Sequence, residues 1–139
     1  MRSKFEQTVY LEAAQKGINI AYEPGTIPYI IAHDYLPDFI IPPPPKLKSG
    51  KYNMNYVLTN HEKYIIIEVK GKWDYEDRRK HNALREQYPN LDVRFVFQRP
   101  TNKATKKRTY GEYCDWKGIK WSKSTIPQAW IEEAKRLSK

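Results

Sequence analysis

The chain has 139 residues, a length typical of one domain with a single core. Its net charge is +9 at pH 7, and its 40% hydrophobic and 29% charged residues exclude a disordered chain. The one cysteine, Cys114, cannot form an intrachain disulfide or a thiolate zinc site, and no apolar run approaches the ~20 residues of a membrane span, so we expect a cytoplasmic protein that contacts no membrane.

The hydrophobic pattern predicts helices and strands that alternate along one domain, 1–139. Ser3 and Glu6 form a capping-box signature, and apolar residues at helical spacing predict a first helix over 4–16 that ends at Gly17. The later elements are predicted as strands at 18–23, 27–31 and 34–41, a polar stretch at 46–64, a strand at 63–71, a helix at 73–88, a strand at 92–97, a basic loop at 99–109, a helix at 109–118, an extended piece at 119–121 and a helix at 125–137. This order is typical of an α/β fold with a mixed sheet.

The charge is distributed unevenly along the chain. Residues 1–45 carry three basic and five acidic residues, a net charge of −2, whereas the remaining 94 residues carry +11. A positive surface favours a polyanionic partner. Carboxylates beside such a surface suit an enzyme that binds metal ions against a polyphosphate, although a chance scatter of acidic residues is the simpler explanation on composition alone.

The strand at 63–71 has two faces of different chemistry. One face carries Ile65, Ile67 and Val69, which we expect to be buried, and the other carries Ile66, Glu68 and Lys70. On an exposed sheet, Glu68 and Lys70 form a solvated salt bridge worth ~0–1 kcal/mol. In a central strand covered by helices a bare charge pair is costly, unless the carboxylate faces a metal ion and becomes its ligand.

A second carboxylate, Asp38, follows Pro37 in another extended segment, so the chain contains Pro-Asp at 37–38 and Glu-Val-Lys at 68–70. Asp38 and Glu68 supply hard oxygen ligands, and the Val69 carbonyl can add a third. Lys70 can orient or deprotonate a water molecule that attacks a phosphate. A pattern this short also occurs by chance, so a metal nuclease core and a salt-bridged sheet face both stay open at this point.

The chain resembles endonuclease I of short-tailed phages over nearly its whole length. The segments that carry the resemblance are RSKFE (2–6), IPYII (27–31), PDFIIP (37–42), EVKGKW (68–73), DRRKH (77–81), REQYPNLDVRFVF (85–97), YGEYC (110–114), KGIKW (117–121) and IPQAWI (126–131). That family resolves Holliday junctions and belongs to the PD-(D/E)xK nuclease superfamily. The resemblance implies a restriction-endonuclease-like mixed sheet flanked by helices, hydrolysis of branched double-stranded DNA in the host cytoplasm, and no nucleotide cofactor.

By matching position, the resemblance implies a catalytic site made of Glu6, Asp38, Glu68 and Lys70. Asp38 is then the bridging carboxylate, Glu68 a second ligand and Lys70 the residue that positions water. Two Mg²⁺ ions per site, or Mn²⁺, are expected to bind Asp38, Glu68, the Val69 carbonyl and Glu6. Glu6 also completes the capping box of the first helix, and a side chain turned back to Ser3 cannot reach a metal, so its catalytic role depends on the resemblance alone.

The resemblance further implies an intertwined homodimer. The segment 1–29 is expected to cross to the partner through a bridge near 30–36, so that Glu6 of one chain joins Asp38, Glu68 and Lys70 of the other. The chain departs from the family in a shorter bridge and in an insertion at 43–64. The lysines and tyrosines of this insertion contact DNA, or the insertion is a solvated surface hairpin.

Basic residues outside the motif are candidate contacts to the DNA backbone. They are Lys72, Arg78, Arg79, Lys80, Lys103, Lys106, Lys107 and Arg108. A solvated helix face explains residues 78–80 equally well, whereas the loop cations predict sequence-independent, salt-sensitive binding. His33, His61 and His81 lack ligand spacing and are expected at the surface or just outside a site, and Trp116, Trp121 and Trp130 lie in patterns typical of a core. A non-catalytic or differently targeted nucleic-acid-binding protein of the same fold is the alternative function.

Overall fold

The computed structural model describes residues 3–17, 19, 21, 24–26 and 34–138. The chain divides into two compact units, Met1–Asp34 and Tyr35–Lys139. The strand predicted at 18–23 falls largely outside the described residues, as does the bridge near 30–36, and the strand predicted at 27–31 lies wholly outside them. Each unit is therefore described by itself.

The described residues of the first unit include the helix α1 (Lys4–Gln15), as the capping signature predicted. The Ser3 hydroxyl oxygen accepts a hydrogen bond from the Glu6 N–H at 3.0 Å, which caps the first turn. Gly17 follows the helix with φ +81°, a conformation that glycine adopts without strain. No residue of α1 is buried, and the Phe5 side chain is 76% exposed.

The second unit is a four-stranded mixed sheet with helices. Its elements are β1 (Phe39–Ile41), α2 (Met54–Thr59), a 3₁₀ turn (His61–Lys63), β2 (Ile65–Lys70), α3 (Tyr75–Gln87), β3 (Val93–Phe97), α4 (Tyr110–Lys117), β4 (Trp121–Lys123) and α5 (Gln128–Leu137). The strand order is β1-β2-β3-β4; β1 runs antiparallel to β2, and β2, β3 and β4 are parallel. The predicted α/β fold with a mixed sheet is confirmed.

Helices cover both faces of the sheet. Alternate side chains of β2 and β3 point to opposite faces, so each face has a core of its own beneath the helices. The core beneath α3 and α4 contains Ile66, Trp73, Val93, Phe95, Phe97, Tyr110, Tyr113, Cys114 and Ile119. The core beneath α5 contains Ile65, Ile67, Val96 and Ala134. Val69 is 48% exposed at the end of β2, so its predicted burial is wrong, and Trp116 is 57% exposed and belongs to neither core.

Two local predictions need correction. The polar stretch at 46–64 contains α2, a short helix in which the Asn53 side chain accepts from the Tyr56 N–H at 3.1 Å and only Val57 is buried. A six-residue helix with one buried side chain has too little periodicity to be visible in a sequence. The last helix begins after Pro127 and not at Thr125. In the described part of the chain, no helix is long and apolar enough to cross a membrane.

Candidate active site

Asp38 and Glu68 lie side by side where β1 begins and β2 nears its end. The pairing of Phe39 with Ile67 places the two acidic residues at the next position of the ladder. Asp38 Oδ2 accepts a hydrogen bond from the Val69 N–H at 2.8 Å, and the Asp38 N–H approaches Glu68 Oε1 at 3.4 Å. The sheet register therefore brings the two predicted carboxylates together from segments thirty residues apart.

The backbone direction of β2 explains why proline precedes Asp38. In β2, the Ile66 N–H and the Lys70 carbonyl form hydrogen bonds with residues that flank the two ends of β3. Because backbone groups alternate in direction along a strand, the N–H and carbonyl groups of the odd-numbered residues point to the other side, toward β1. When the register is continued, Pro37 lies opposite Val69. Proline has no N–H and cannot donate to the Val69 carbonyl. The predicted third oxygen ligand is thus left without its usual ladder donor.

Glu68 is 3% exposed, the most buried carboxylate among the described residues. Burial, and next the negative charge of Asp38, raise its pKa, while a hydrogen bond from the Tyr35 hydroxyl and the charge of Lys70 oppose the shift. Burial and the same hydrogen bond to Glu68 raise the pKa of Tyr35, so this hydroxyl stays protonated and donates. The sequence analysis did not identify Tyr35, because nothing in the pattern distinguishes it from the other ten tyrosines.

His81, expected at the surface or just outside a site, is a second neighbour of the carboxylates. It is buried on α3, with its ring 5.7 Å from that of Tyr35 and 4.9 Å from that of Phe95. Burial, and next the charge of Lys70, lower the pKa of His81 to about 4. The imidazole is therefore neutral at physiological pH, and Lys70, half-buried at the end of β2, is the cation next to Glu68.

The donor set fits a hard divalent cation. Two carboxylates and a backbone carbonyl are the oxygen ligands that Mg²⁺ prefers, and Mg²⁺ commonly binds through one or two carboxylates while it keeps several waters. A buried carboxylate whose pKa is raised in the bare protein is stabilised in its charged form by such a cation. Among the described residues, no group of three His, Cys, Asp or Glu side chains is placed to bind a metal, so the second unit supplies only this pair.

Comparison with known proteins decides the family. The family model of phage endonuclease I matches residues 43–138. Endonuclease I of Escherichia phage T7 is 37% identical over 140 residues, which cover 97% of this chain and 80% of that protein. Endodeoxyribonuclease 1 of Enterobacteria phage T3 is 38% identical over 140 residues, covering 97% of this chain and 79% of that protein. The chain belongs to the phage endonuclease I family.

In this member of the phage endonuclease I family, Glu6 lies in the first unit, on the first turn of α1. Its carboxylate Oε1 accepts a hydrogen bond from the Ser3 hydroxyl at 3.3 Å. This contact, donated by the hydroxyl, turns the Glu6 carboxylate toward Ser3, the orientation that competes with metal binding. The catalytic role of Glu6 stays a prediction.

Two predicted DNA contacts of this phage endonuclease I family member lie beside the carboxylate pair. Lys72 and Lys103 line a groove of about 650 Å³, together with Gly71, Gln98, Arg99, Asn102 and Tyr110. The groove begins directly after Lys70, and the Lys70 carbonyl accepts from the Gln98 N–H at 3.1 Å. Both lysines are exposed, and their contact with DNA stays a prediction.

The other predicted contacts lie on α3 and in the loop before α4. Arg79, Lys80, Lys106 and Lys107 are exposed, and Arg108 is half-buried. Arg78 requires a correction, because it is only 8% exposed and its Nη1 donates to the Trp73 carbonyl at 2.6 Å. Its guanidinium makes cation–π contacts with the rings of Trp73 and Tyr113 inside the protein, so it is not available as a surface phosphate contact.

Proposed function

We propose that this chain is a structure-selective, Mg²⁺-dependent DNA endonuclease that resolves four-way junctions, acting in the cytoplasm of a host cell. Membership of the phage endonuclease I family supports the general activity, that of a deoxyribonuclease. The observation that supports the finer one is the pair Asp38 and Glu68, set side by side by the sheet register, with Lys70 next to Glu68. Selectivity for branched DNA requires no base reading, so shape and backbone charge suffice.

The residues of the site divide the work of phosphodiester hydrolysis. Asp38, Glu68 and the Val69 carbonyl would bind Mg²⁺, which when bound neutralises charge on the phosphate and lowers the pKa of a coordinated water. Lys70 orients the attacking water beside the scissile phosphate. The water oxygen forms the new bond to phosphorus while the bond from phosphorus to the 3′ oxygen breaks. The products are a 5′-phosphate and a 3′-hydroxyl, which takes up a proton.

A homodimer with exchanged first segments is part of this proposal. The side chains of Phe5 and Val9, one turn apart on α1, are 76% and 45% exposed, an apolar surface that a partner chain would bury. In that arrangement 1–29 crosses to the partner, and Glu6 completes a site with Asp38 and Glu68 of the other chain. Two such sites related by symmetry suit paired nicks across a junction. The segment 43–64 remains a proposed insertion.

Cleavage of a four-way junction with and without Mg²⁺ tests the activity. Asp38→Ala and Glu68→Ala are expected to abolish nicking while junction binding persists, because these side chains are ligands and not phosphate contacts. Glu132→Ala, which removes a carboxylate on α5 that pairs with Lys135 at 3.6 Å, is the matched control. Full cleavage by either site variant would overturn the site. A linear duplex of the same sequence tests selectivity, and salt-dependent binding without nicking would identify a non-catalytic DNA-binding protein.

Mixing two inactive variants tests whether sites are shared between chains. Glu6→Ala and Lys70→Ala chains are refolded together and, in parallel, mixed after separate folding. With exchanged segments, the co-refolded heterodimer contains one site in which Glu6 and Lys70 are both intact, so activity returns only in that sample. Absence of rescue, with both variants folded and dimeric, would contradict the crossover.

A further inference from the structure

A second basic groove lies between α3, the loop before α4, and α4. Its volume is about 500 Å³, and its lining includes Arg79, Lys106, Lys107, Arg108, Trp116 and Lys117. None of the residues that line it belongs to the carboxylate pair or to the groove beside Lys72. Three of its cations, Arg78, Arg79 and Lys117, come from helices, and the other three come from the loop.

Trp116 places two of these cations together. The Arg108 guanidinium carbon lies 4.1 Å from the centroid of the Trp116 ring, and the Lys117 Nζ lies 4.6 Å from it. A tryptophan face attracts a cation through the ring quadrupole. The ring is 57% exposed and belongs to neither core. The ring packs edge-on against Tyr113, with 5.6 Å between the centroids, and it also contacts the two cations at the groove.

The loop cations are held on an ordered turn. The Thr105 hydroxyl oxygen accepts from the Lys107 N–H at 3.2 Å and from the Arg108 N–H at 3.1 Å. The Arg108 carbonyl in turn accepts from the N–H groups of Ala104 and Thr105, at 2.9 Å and 3.1 Å. A ligand that binds here does not need to order the backbone first, which lowers the entropic cost of binding.

The cations of the groove have little internal compensation. Arg79 pairs with Glu76 at 3.7 Å on the surface of α3. Within the described part of the chain, the other four exposed or half-buried cations of the groove have no carboxylate within the 4.0 Å of an ion pair. Like charges brought this close repel one another, and a polyanion relieves that repulsion. Arg78 and Tyr113, both 8% exposed, also line the groove.

We propose that this α3–α4 groove binds the phosphate backbone of a duplex DNA arm, at a place additional to the carboxylate pair, and that Trp116 keeps Arg108 and Lys117 in position for it. The inference rests on the proposed function, because the arm belongs to the branched substrate. The groove supplies affinity and the direction of the arm without reading bases. It adds Trp116 and Lys117 to the DNA-binding surface and assigns Lys106, Lys107 and Arg108 to one site.

The salt dependence of junction binding by the full-length chain, measured without divalent metal, tests the groove. The double variant Lys106→Gln/Lys107→Gln loses two phosphate contacts, each worth about 0.9 in the slope of log affinity against log salt. The ratio of variant to wild-type Kd should therefore fall about tenfold between 50 and 200 mM salt. Lys135→Gln/Arg136→Gln removes the same charge from α5 on the other face of the sheet and should leave the slope unchanged.

Iodide quenching of tryptophan fluorescence gives an independent readout. Trp116, at 57%, is the most exposed of the four tryptophans, so it should be quenched in the free protein and shielded in the junction complex. Trp116→Phe should lack that quenchable fraction. An unchanged slope in the lysine variant, or unshielded Trp116 in the complex, would overturn this proposal alone. Failure of the wild-type chain to bind the junction would overturn the proposed function as well.

Discussion

The Tyr35 hydroxyl donates a hydrogen bond to Oε1 of Glu68. This bond connects the segment that leads into β1 with the end of β2. This contact occupies one oxygen of a buried carboxylate and fixes the orientation of the other. The Tyr35 ring also packs edge-on against His81, so it connects the carboxylate pair to α3. Tyr35 is therefore placed to orient a proposed metal ligand without binding the metal itself.

Replacing Tyr35 by phenylalanine keeps the ring and removes this donor. Loss of a partner that orients a metal ligand typically costs 10- to 100-fold in metal affinity or activity, so we expect the Mg²⁺ midpoint for cleavage to rise about tenfold. The Mg²⁺-induced rise in melting temperature should need correspondingly more metal. Tyr52→Phe, at a 48% exposed tyrosine, is the control. An unchanged Mg²⁺ requirement in both assays would show that the hydroxyl does not orient Glu68.

Glu68→Gln should change how stability depends on pH in the absence of metal. Burial raises the pKa of Glu68 in the folded protein above its ordinary value of 4.5, so the native state binds the proton more tightly than the unfolded state. The wild-type chain therefore loses stability as pH rises from 4.5 through the raised pKa, by at most about 1.4 kcal/mol per pH unit. The stability of the variant relative to wild type should increase over that window, as measured by urea unfolding in chelator. A constant difference would contradict the burial effect.

His81→Gln should act on the acid side, with the opposite sign. The folded pKa of His81 is lowered to about 4, while the unfolded value is 6.5, so the unfolded state takes up the proton first as pH falls. The wild-type chain should lose about 3 kcal/mol between pH 7 and pH 4 through this group. Urea unfolding of the variant should show a shallower loss over the same window. An identical acid profile in both proteins would mean that His81 is accessible to protons in the native state.

Gly111→Ala should destabilise the protein, although the same change usually stabilises a helix. An added Cβ would lie 2.6 Å from Cζ2 of Trp121, and that indole is fixed by a 2.8 Å hydrogen bond from its Nε1 to Asp115. The helix preference for alanine gives about 1 kcal/mol, whereas overpacking typically costs about 1–3 kcal/mol. Thermal unfolding should show a lower melting temperature. Trp121→Leu combined with Gly111→Ala removes the clash and should recover part of the loss.

The elements that the sequence predicted well are those with local physical signals. The capping box at Thr109 and Glu112 and the left-handed Gly118 define α4 within a residue, since each contact joins neighbours in the chain. The alternation in β2 likewise predicted that Ile65 and Ile67 lie on the opposite face from Ile66, because period two is visible in six residues, although Val69 at the end of the strand is exposed. Local chemistry of this kind can be read without knowing the tertiary structure.

The features that could not be predicted depend on distant partners. Arg94 is 1% exposed in the middle of β3, where its guanidinium pairs with Asp92 at 2.7 Å and with Glu133 of α5 at 2.8 Å. Glu133 is 39 residues away, so no local pattern indicates that a buried arginine is satisfied there. The same holds for Tyr35 and His81 at the carboxylate pair. Asp38 and Glu68 could be proposed as a pair from the sequence, because each belongs to a short motif. The pairing of β1 with β2 that brings them together could not be predicted.

Pro37 contributes to the sheet by the hydrogen bond that it cannot make. An ordinary residue at this position would present an N–H to the Val69 carbonyl and extend β1 by one more pair. A saturating mutational scan for cleavage should therefore tolerate many residues at Val69, whose exposed side chain is not used, and few at Pro37. Selection would therefore retain proline at 37 because it lacks an N–H, and this absence keeps the Val69 carbonyl oxygen available.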